Sequence, residues 1–283
     1  MTVLKAIPPI HIHPVLLFFL LTAYFTGAFM EFVILLTIVL IHEMGHVLMA
    51  IYLKWRIEKI MIWIFGGVMQ TSEHGNRPIR EEALVIIAGP FQHVLIYGFL
   101  TVFGNSLLPE SVLQTAYTAN AMLMLFNLLP VWPLDGGKLL SLALASLMPY
   151  RKAHKWTIVL SVLIGTAILA IQIVYFPFVL SAFCLMIFLL LENRTEWKQR
   201  YFAFIRFLLK RFETPRFKLQ TIRAHPKTQI TSILFKFRRN RRHVISVKYK
   251  EIEHRIIESD LLEFHFKGST HLQTIEDVLR ERN

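Results

Sequence analysis

A chain of 283 residues that is 54% hydrophobic, with a mean hydropathy of +0.49, is too apolar for an ordinary soluble domain, and apolar runs long enough to span a bilayer recur along it. Its net charge of +12 is uneven: residues 1–191 hold 10 Lys and Arg against 8 Asp and Glu, whereas residues 192–283 hold 21 against 11. Cys184 is the sole cysteine, which excludes an intramolecular disulfide and a cysteine-built zinc site and leaves His and carboxylate side chains to ligate any metal.

Residues 1–13 carry Pro8, Pro9, His11 and His13 ahead of a first apolar span over residues 14–30. No small-residue cleavage pattern follows, so this span reads as a retained helix. His11 and His13 sit at a membrane boundary, where interfacial packing is the simpler reading and metal ligation the alternative. The second span, residues 32–53, contains His42, Glu43 and His46. On a helix the two histidines lie at i and i+4 on one face and can share a metal, while Glu43, a step round, can act as base on an attacking water. Ionisable groups in mid-bilayer cost about 2.5–3.5 kcal/mol each when charged, so function is the first explanation for them; two hydrogen-bonded histidines beside a structural Glu are the alternative.

Lys54, Trp55, Arg56 and Lys59 read as a basic, aromatic interface anchor. Residues 59–70, apolar but interrupted by Gly66 and Gly67, read either as a short re-entrant hairpin whose edge can accept an extended peptide or as a plain loop. Turn chemistry around His74 to Pro78 leads into Glu81 and Glu82, which open the third span, residues 83–103. Within it Ala88, Gly89 and Pro90 permit close packing against the metal-binding helix. His93, on the same span, either faces the site or is a satisfied interior histidine.

The fourth span, residues 112–129, runs into Asn127, Pro130, Pro133, Asp135, Gly136, Gly137 and Lys138, where two prolines unwind the chain and two glycines permit tight turns. A catalytic zinc commonly has three protein ligands, and the two histidines leave one place unfilled. Asp135, the sole Asp before residue 260, is the candidate for it; capping the segment that starts at Lys138 is the alternative. Arg151, Lys152 and Lys155 precede a fifth span, residues 156–174, and Pro177 turns the chain into a sixth, residues 178–191. Lys and Arg fall at the N-terminus, after spans two and four, and in the tail, which puts both termini in the cytoplasm.

In the tail, Trp197, Tyr201, Phe204, Ile205, Leu208, Leu209 and Phe212 recur at helical spacing among basic residues, as in an interfacial amphipathic helix, which the basic face favours over a docking helix, and Pro215 ends it. Beyond it a helical run (Ile230, Ile233, Leu234, Phe237) and strand-like stretches at 244–249 and 254–257 predict a small α+β module of β-α-β-β-α order. Arg238, Arg239, Arg241 and Arg242 form either a binding surface for phosphate or lipid headgroups or a solvated charge run. The basic tail suits anionic lipid; direct nucleic-acid binding needs more than charge and is not expected.

The pairing of His42-Glu43-x-x-His46 with Asn127 and Pro133-Leu134-Asp135-Gly136 resembles the site-2 proteases, zinc metalloproteases that cut within membranes. The stretch Phe65-Gly66-Gly67, residues 73–78, residues 86–93 and the six-span layout resemble the branch of that family found in endospore formers. The resemblance implies a mainly α membrane protein of about six transmembrane helices, with a short re-entrant β-hairpin after the second and a small cytoplasmic α+β domain resembling a CBS module. Its divisions are a metalloprotease domain over residues 1–191, an amphipathic linker helix over 192–214 and a regulatory domain over 215–283. It further implies one Zn²⁺ per chain on His42, His46 and Asp135, Glu43 as the catalytic base, and Asn127, Gly66, Gly67 and Pro133 in substrate binding or oxyanion stabilisation. The implied substrate is a membrane-associated sigma-factor precursor cut near the cytoplasmic side of the bacterial cell membrane, in the membrane around the forespore, under inhibitory or regulatory membrane proteins. CBS modules pair and can bind adenine nucleotides, which implies ATP and homo-oligomerisation at the tail. The rival from another class is a non-catalytic membrane sensor or ion-handling protein with the basic tail as its output; spans without a matched pair of broken helices speak against a transporter.

Overall fold

The computed structural model describes residues 10–12, 14–63, 66–71, 73, 75, 77–211, 218–249, 252–267 and 274–282. His13, Phe65, His74, Asn76 and Phe212, singled out above, lie outside them, as do the prolines at 8, 9 and 215. The chain divides into two compact units, Met1–Pro130 with Leu134–Leu139, and Val131–Pro133 with Leu140–Asn283.

The first unit runs β1 (Ile10–Ile12), α1 (Pro14–Thr26), α2 (Phe29–Tyr52), β2 (Ile57–Trp63), β3 (Gly66–Thr71), α3 (Ile79–Leu107), α4 (Glu110–Leu128) and the first turn of α5 (Asp135–Leu147). Of the two readings for the glycine-interrupted stretch, the hairpin forms: β2 pairs antiparallel with β3, from Ile57 opposite Thr71 to Trp63 opposite Gly66. β1, too short to carry a strand pattern of its own, adds to β2 in parallel, Ile10 opposite Ile60, and gives the order β1-β2-β3. Among the described residues β3 is therefore an edge strand, and it lies along α2.

Helix α2 ends in a turn that relocates one predicted group. Lys54 has φ of 57°, its N–H donates to the Ile51 carbonyl at 2.9 Å, and Trp55 N–H donates to the Ala50 carbonyl at 2.8 Å. These are the two bonds of a Schellman cap, in which the second residue past the helix folds back onto its last turn. Trp55 is accordingly not an interface anchor: it is 5% exposed, packs on Ala50 and Val85, and its indole N–H points to Glu81 Oε2 at 3.4 Å. Among the residues that follow, Gly75 N–H donates to Glu82 Oε1 at 2.6 Å and Arg77 Nε to Glu73 Oε2 at 2.9 Å.

The second unit comprises the rest of α5, then α6 (Tyr150–Tyr175), α7 (Leu180–Lys210), β4 (Lys218–Ala224), α8 (Ile230–Leu234), β5 (Arg241–Tyr249), β6 (Ile252–Ile257), α9 (Glu258–Lys267) and α10 (Ile275–Arg282). The predicted β-α-β-β-α order is present, with α10 added. β4 lies parallel to β5 and β6 antiparallel to it, giving a mixed sheet of order β4-β5-β6. Along β5, His243, Ile245 and Val247 alternate inward, the period of a strand covered on one face. One uninterrupted helix, α7, covers both the predicted sixth span and the amphipathic stretch after it, and Phe204, Phe207 and Leu208 near its end join the core formed by Ile233, Phe237 and Ile245. The expected interfacial helix is corrected here to a docking one, because these side chains are buried in that core.

Three described helices are long and apolar enough to cross a membrane: α2, α3 and α6. The other predicted spans fall on α1, which has 13 residues, on α4, diluted by Gln114, Thr115, Thr118 and Asn120, and on α7, where Glu192, Arg194 and Glu196 follow a short apolar stretch. The apolar side chains exposed on α1 and α3, such as Phe18, Phe25, Leu95 and Phe99, suit a lipid surround and not water.

Candidate metal site

The site begins with the crossing of α2 and α3. Gly45 of α2 meets the backbone of Ala88, and Gly89 of α3 lies against both imidazoles of α2, so that a Cβ at either glycine overlaps its neighbour. The small residues thus do what their spacing predicted, bringing α3 onto the metal-binding face. There the Val85 carbonyl lies 2.8 Å from His46 Nδ1. A carbonyl only accepts, so Nδ1 carries the hydrogen and Nε2 is left with its lone pair.

Asp135 enters from α5. Gly136 makes this possible, because a Cβ there overlaps the carbonyls of Leu128 and Leu129 at the end of α4. Asp135 Oδ2 is 3.1 Å from His42 Nε2 and 3.1 Å from His46 Nε2, and the two nitrogens are 3.2 Å apart. All three side chains are buried, at 4%, 8% and 3% exposure. They are the one cluster of His, Cys, Asp or Glu among the described residues that can hold a metal ion.

The donor set fits zinc. Bonds of ~2.0–2.1 Å at tetrahedral angles separate neighbouring ligand atoms by roughly 3.3 Å, close to the edges observed. Asp135 Oδ2 is buried without a hydrogen-bond donor, and a lone pair on His46 Nε2 facing a carboxylate oxygen needs a cation or proton between them. The other carboxylate oxygen, Oδ1, accepts from Lys138 Nζ at 3.1 Å, which leaves Oδ2 for the metal.

Glu43 is partly exposed on α2, and its charge reaches both His46 and Lys138. Asn127 stands in the last turn of α4, half-buried, its amide donating to the Leu123 carbonyl at 3.0 Å. Gly66 and Gly67 occupy the start of β3, opposite Trp63 and Ile62. Pro133 follows a cis peptide bond in a short segment pinned by Ser161 Oγ, which accepts from Trp132 N–H at 2.9 Å, and by Asn193 Nδ2, which donates to the Trp132 carbonyl at 2.6 Å. His11 is exposed on β1. His93 is wholly buried, with its ring centroid 4.9 Å from that of His42. Val85, Lys138 and Asn120 enter the site through the contacts they make and belong to none of the sequence motifs. Lys138 alone carried a local signal, three residues after Asp135 on a helix.

The basic cluster of the tail is also resolved. Arg239 is 7% exposed, and the carbonyls of Arg238, Arg239 and Arg241 accept hydrogen bonds from the guanidinium of Arg211. Arg239 therefore belongs to neither a solvated charge run nor a headgroup-binding surface. The turn wraps a buried cation instead.

Comparison with known proteins gives a consistent picture. The profile of Peptidase family M50 matches residues 30–110 and 105–172. Stage IV sporulation protein FB of Bacillus subtilis is 33% identical over 98% of both chains. A zinc metalloprotease of Methanocaldococcus jannaschii is 33% identical over 44% of this chain and 37% of its own length. The solved site-2 protease from the same archaeon superposes with a TM-score of 0.53 at 24% identity, over 66% of this chain and 89% of that one, a likeness of fold.

Proposed function

We propose a specific function from one premise: this chain belongs to peptidase family M50 and is a site-2 type zinc metalloprotease of the membrane. That membership decides against the sensor reading. His42, His46 and Asp135 would hold the ion, and the observation that carries the assignment is their near-equilateral triangle of ligand atoms inside a buried, apolar setting. Zinc bound there supplies a Lewis acid that polarises the scissile carbonyl and lowers the pKa of water toward neutrality.

The remaining steps belong to side chains. Glu43 takes a proton from the attacking water and passes it to the leaving amine, a role worth about 10²–10⁴ in rate. Lys138 holds Asp135 through Oδ1 and so fixes which oxygen faces the histidines. A peptide must be unwound before it is cut, because a helix hides its peptide bonds in its own hydrogen bonds. The edge of β3 that no described strand pairs, beginning at Gly66 and Gly67, offers main-chain groups to receive it in extended form. Asn127 and the segment around Pro133 would contact substrate or stabilise the oxyanion.

The likeness to the sporulation protein over nearly the whole chain supports a finer reading. The substrate would be a membrane-associated sigma-factor precursor, cut near the cytoplasmic side of a six-span protein with both termini cytoplasmic, in the membrane around the forespore. Inhibitory membrane proteins would govern it. The C-terminal unit, whose mixed sheet and helices suit a CBS-like module, would bring substrate, anionic lipid, adenine nucleotide or a second copy to the enzyme, with the divisions at residues 191 and 214 marking its linker. Metal analysis and cleavage by the purified full chain test the core of this: about one zinc per chain and release of a shortened membrane-anchored substrate are expected, and a chelator-sensitive loss of cleavage should accompany metal removal. Zinc-free protein that cleaves at full rate would sink it.

A further inference from the structure

Beside the metal triangle two buried ring nitrogens, Nδ1 of His42 and Nε2 of His93, have no hydrogen-bond partner among the described residues. Buried polar atoms without partners are rare enough to need an explanation. His93 comes from α3, one turn beyond the Gly89 that packs on both site histidines. Its ring is clamped by Asn120 of α4, itself 2% exposed. Asn120 Nδ2 donates to the His93 backbone carbonyl at 2.9 Å, and Asn120 Oδ1 lies 2.8 Å from His93 Nδ1. Because a carbonyl only accepts, the amide can be oriented one way, and Oδ1 then requires a hydrogen on Nδ1. Nε2 of His93 therefore carries a lone pair.

His42 is the complement. Its Nε2 is the nitrogen turned to Asp135 and His46, so when that atom ligates a metal the ring hydrogen sits on Nδ1. One orphan is a donor and the other an acceptor. Their rings are 4.9 Å apart between centroids and tilted by 42°, and two imidazoles joined by an N–H···N bond of ordinary length have centroids about 5 Å apart. His93 is not itself in the cluster of ligand atoms lying within 4.8 Å of one another, which consists of His42, His46 and Asp135.

We propose that His93 Nε2 accepts the Nδ1–H of His42, so that His42, His93 and Asn120 form a hydrogen-bonded chain orienting one zinc ligand as the Val85 carbonyl orients the other. His93 is then a positioning residue. The proposal rests on the zinc reading above. Partners of this kind set the tautomer and direction of a ligating histidine, and losing one lowers metal affinity by about 10–100-fold.

The test is zinc affinity of the full chain in detergent, measured by competition with a chelator, which does not depend on turnover. His93→Phe, which fills the space without an acceptor, should weaken zinc by about 10–100-fold, while His93→Gln, whose Oε1 can accept, should stay within roughly threefold of the parent. Unchanged affinity in His93→Phe overturns the proposal, and so does an equal fall in both variants, which would mean that His93 only fills space. Should His93→Phe fail to fold, ¹⁵N-histidine spectra of the zinc-loaded parent decide the matter. A hydrogen on His42 Nδ1 coupled to His93 Nε2 supports the chain; a protonated His93 Nε2 overturns it. A parent that binds no zinc overturns the metal reading and this inference together, whereas a zinc-tight parent with an unaffected His93→Phe overturns this inference alone.

Discussion

Each unit buries a cluster of histidine and carboxylate, and the two clusters differ in how their hydrogen bonds close. In the second unit Glu258 accepts from both the Nε and Nη2 of Arg211, the latter at 3.0 Å, and from the backbone N–H of His243 at 2.8 Å and its Nδ1 at 3.1 Å. The other ring nitrogen, His243 Nε2, accepts from Arg238 N–H at 3.3 Å. The guanidinium of Arg211 and the two N–H groups of His243 all meet acceptors. In the first unit Asp135 Oδ2 and His46 Nε2 face each other as acceptors, and His42 Nδ1 and His93 Nε2 are left over. A saturated cluster holds a fold together; one with a surplus of acceptors around a common point is arranged for something that is not protein. Burial and residue type are alike in the two, so neither property alone separates structure from function.

The contrast can be broken most severely at Glu43. Glu43→Gln keeps size and both imidazoles and removes the proton acceptor, so cleavage should fall by about 10²–10⁴-fold while zinc content stays at the parent level. Turnover near that of the parent would remove Glu43 from the chemistry.

A paired exchange sharpens the comparison. Asp135→Ala should abolish tight zinc binding with little effect on the melting of the second unit. Glu258→Ala should leave zinc in place and destabilise the second unit by about 3–5 kcal/mol, the usual consequence of stranding a buried cation, here Arg211. Hydrogen exchange of β5 amides alongside metal analysis reads both. If the two substitutions had the same effects, the distinction between the clusters would be lost.

The saturated cluster should also respond to acid. Burial and the nearby Arg211 and Arg238 charges hold the His243 pKa below its ordinary 6.5, against the pull of Glu258. Burial works to raise Glu258, but its hydrogen bonds from His243 and Arg211 prevail and keep it below 4.5. With both lowered, the unfolded unit binds more protons than the folded one, so stability is full above about pH 6.5 and falls as pH drops, first through His243 and then, below 4.5, through Glu258. β5 protection measured from pH 7.5 downward, at constant ionic strength, should therefore decrease, and His243→Gln should flatten the upper part of the decline. A rise in protection on acidification would contradict the assigned directions.

The smallest expected effect lies at α10, where Asp277 Oδ2 accepts from both the backbone N–H and the hydroxyl of Thr274 at 2.8 Å, the first of these being the carboxylate half of a capping box. Asp277→Ala should lower the stability of the second unit by about 1 kcal/mol without touching zinc or cleavage. A loss as large as that of Glu258→Ala would mean that capping was the wrong account.

What the sequence determined by itself is what depends on neighbours along the chain. Spacing of i and i+4 was enough to put His42 and His46 on one face of α2, and the strand-like pattern of residues 244–249 was enough to mark β5, whereas the glycines at 66 and 67 left hairpin and loop open until the pairing of β2 with β3 decided it. The small residues at 88 and 89 were legible too, because a close crossing needs them. Tertiary structure decided what depends on residues far apart in sequence. It set Asp135 against two histidines about ninety positions earlier, added β1 to β2, buried Trp55 against Ala50 and Val85, and wrapped the arginine-rich turn around Arg211. His93 shows the division most plainly. Its position on α3 could be read directly, but whether its ring served the site depended on Asn120, on a different helix, fixing which nitrogen kept the lone pair. Periodicity constrains the face on which a side chain sits; only packing supplies the partner that fixes its proton.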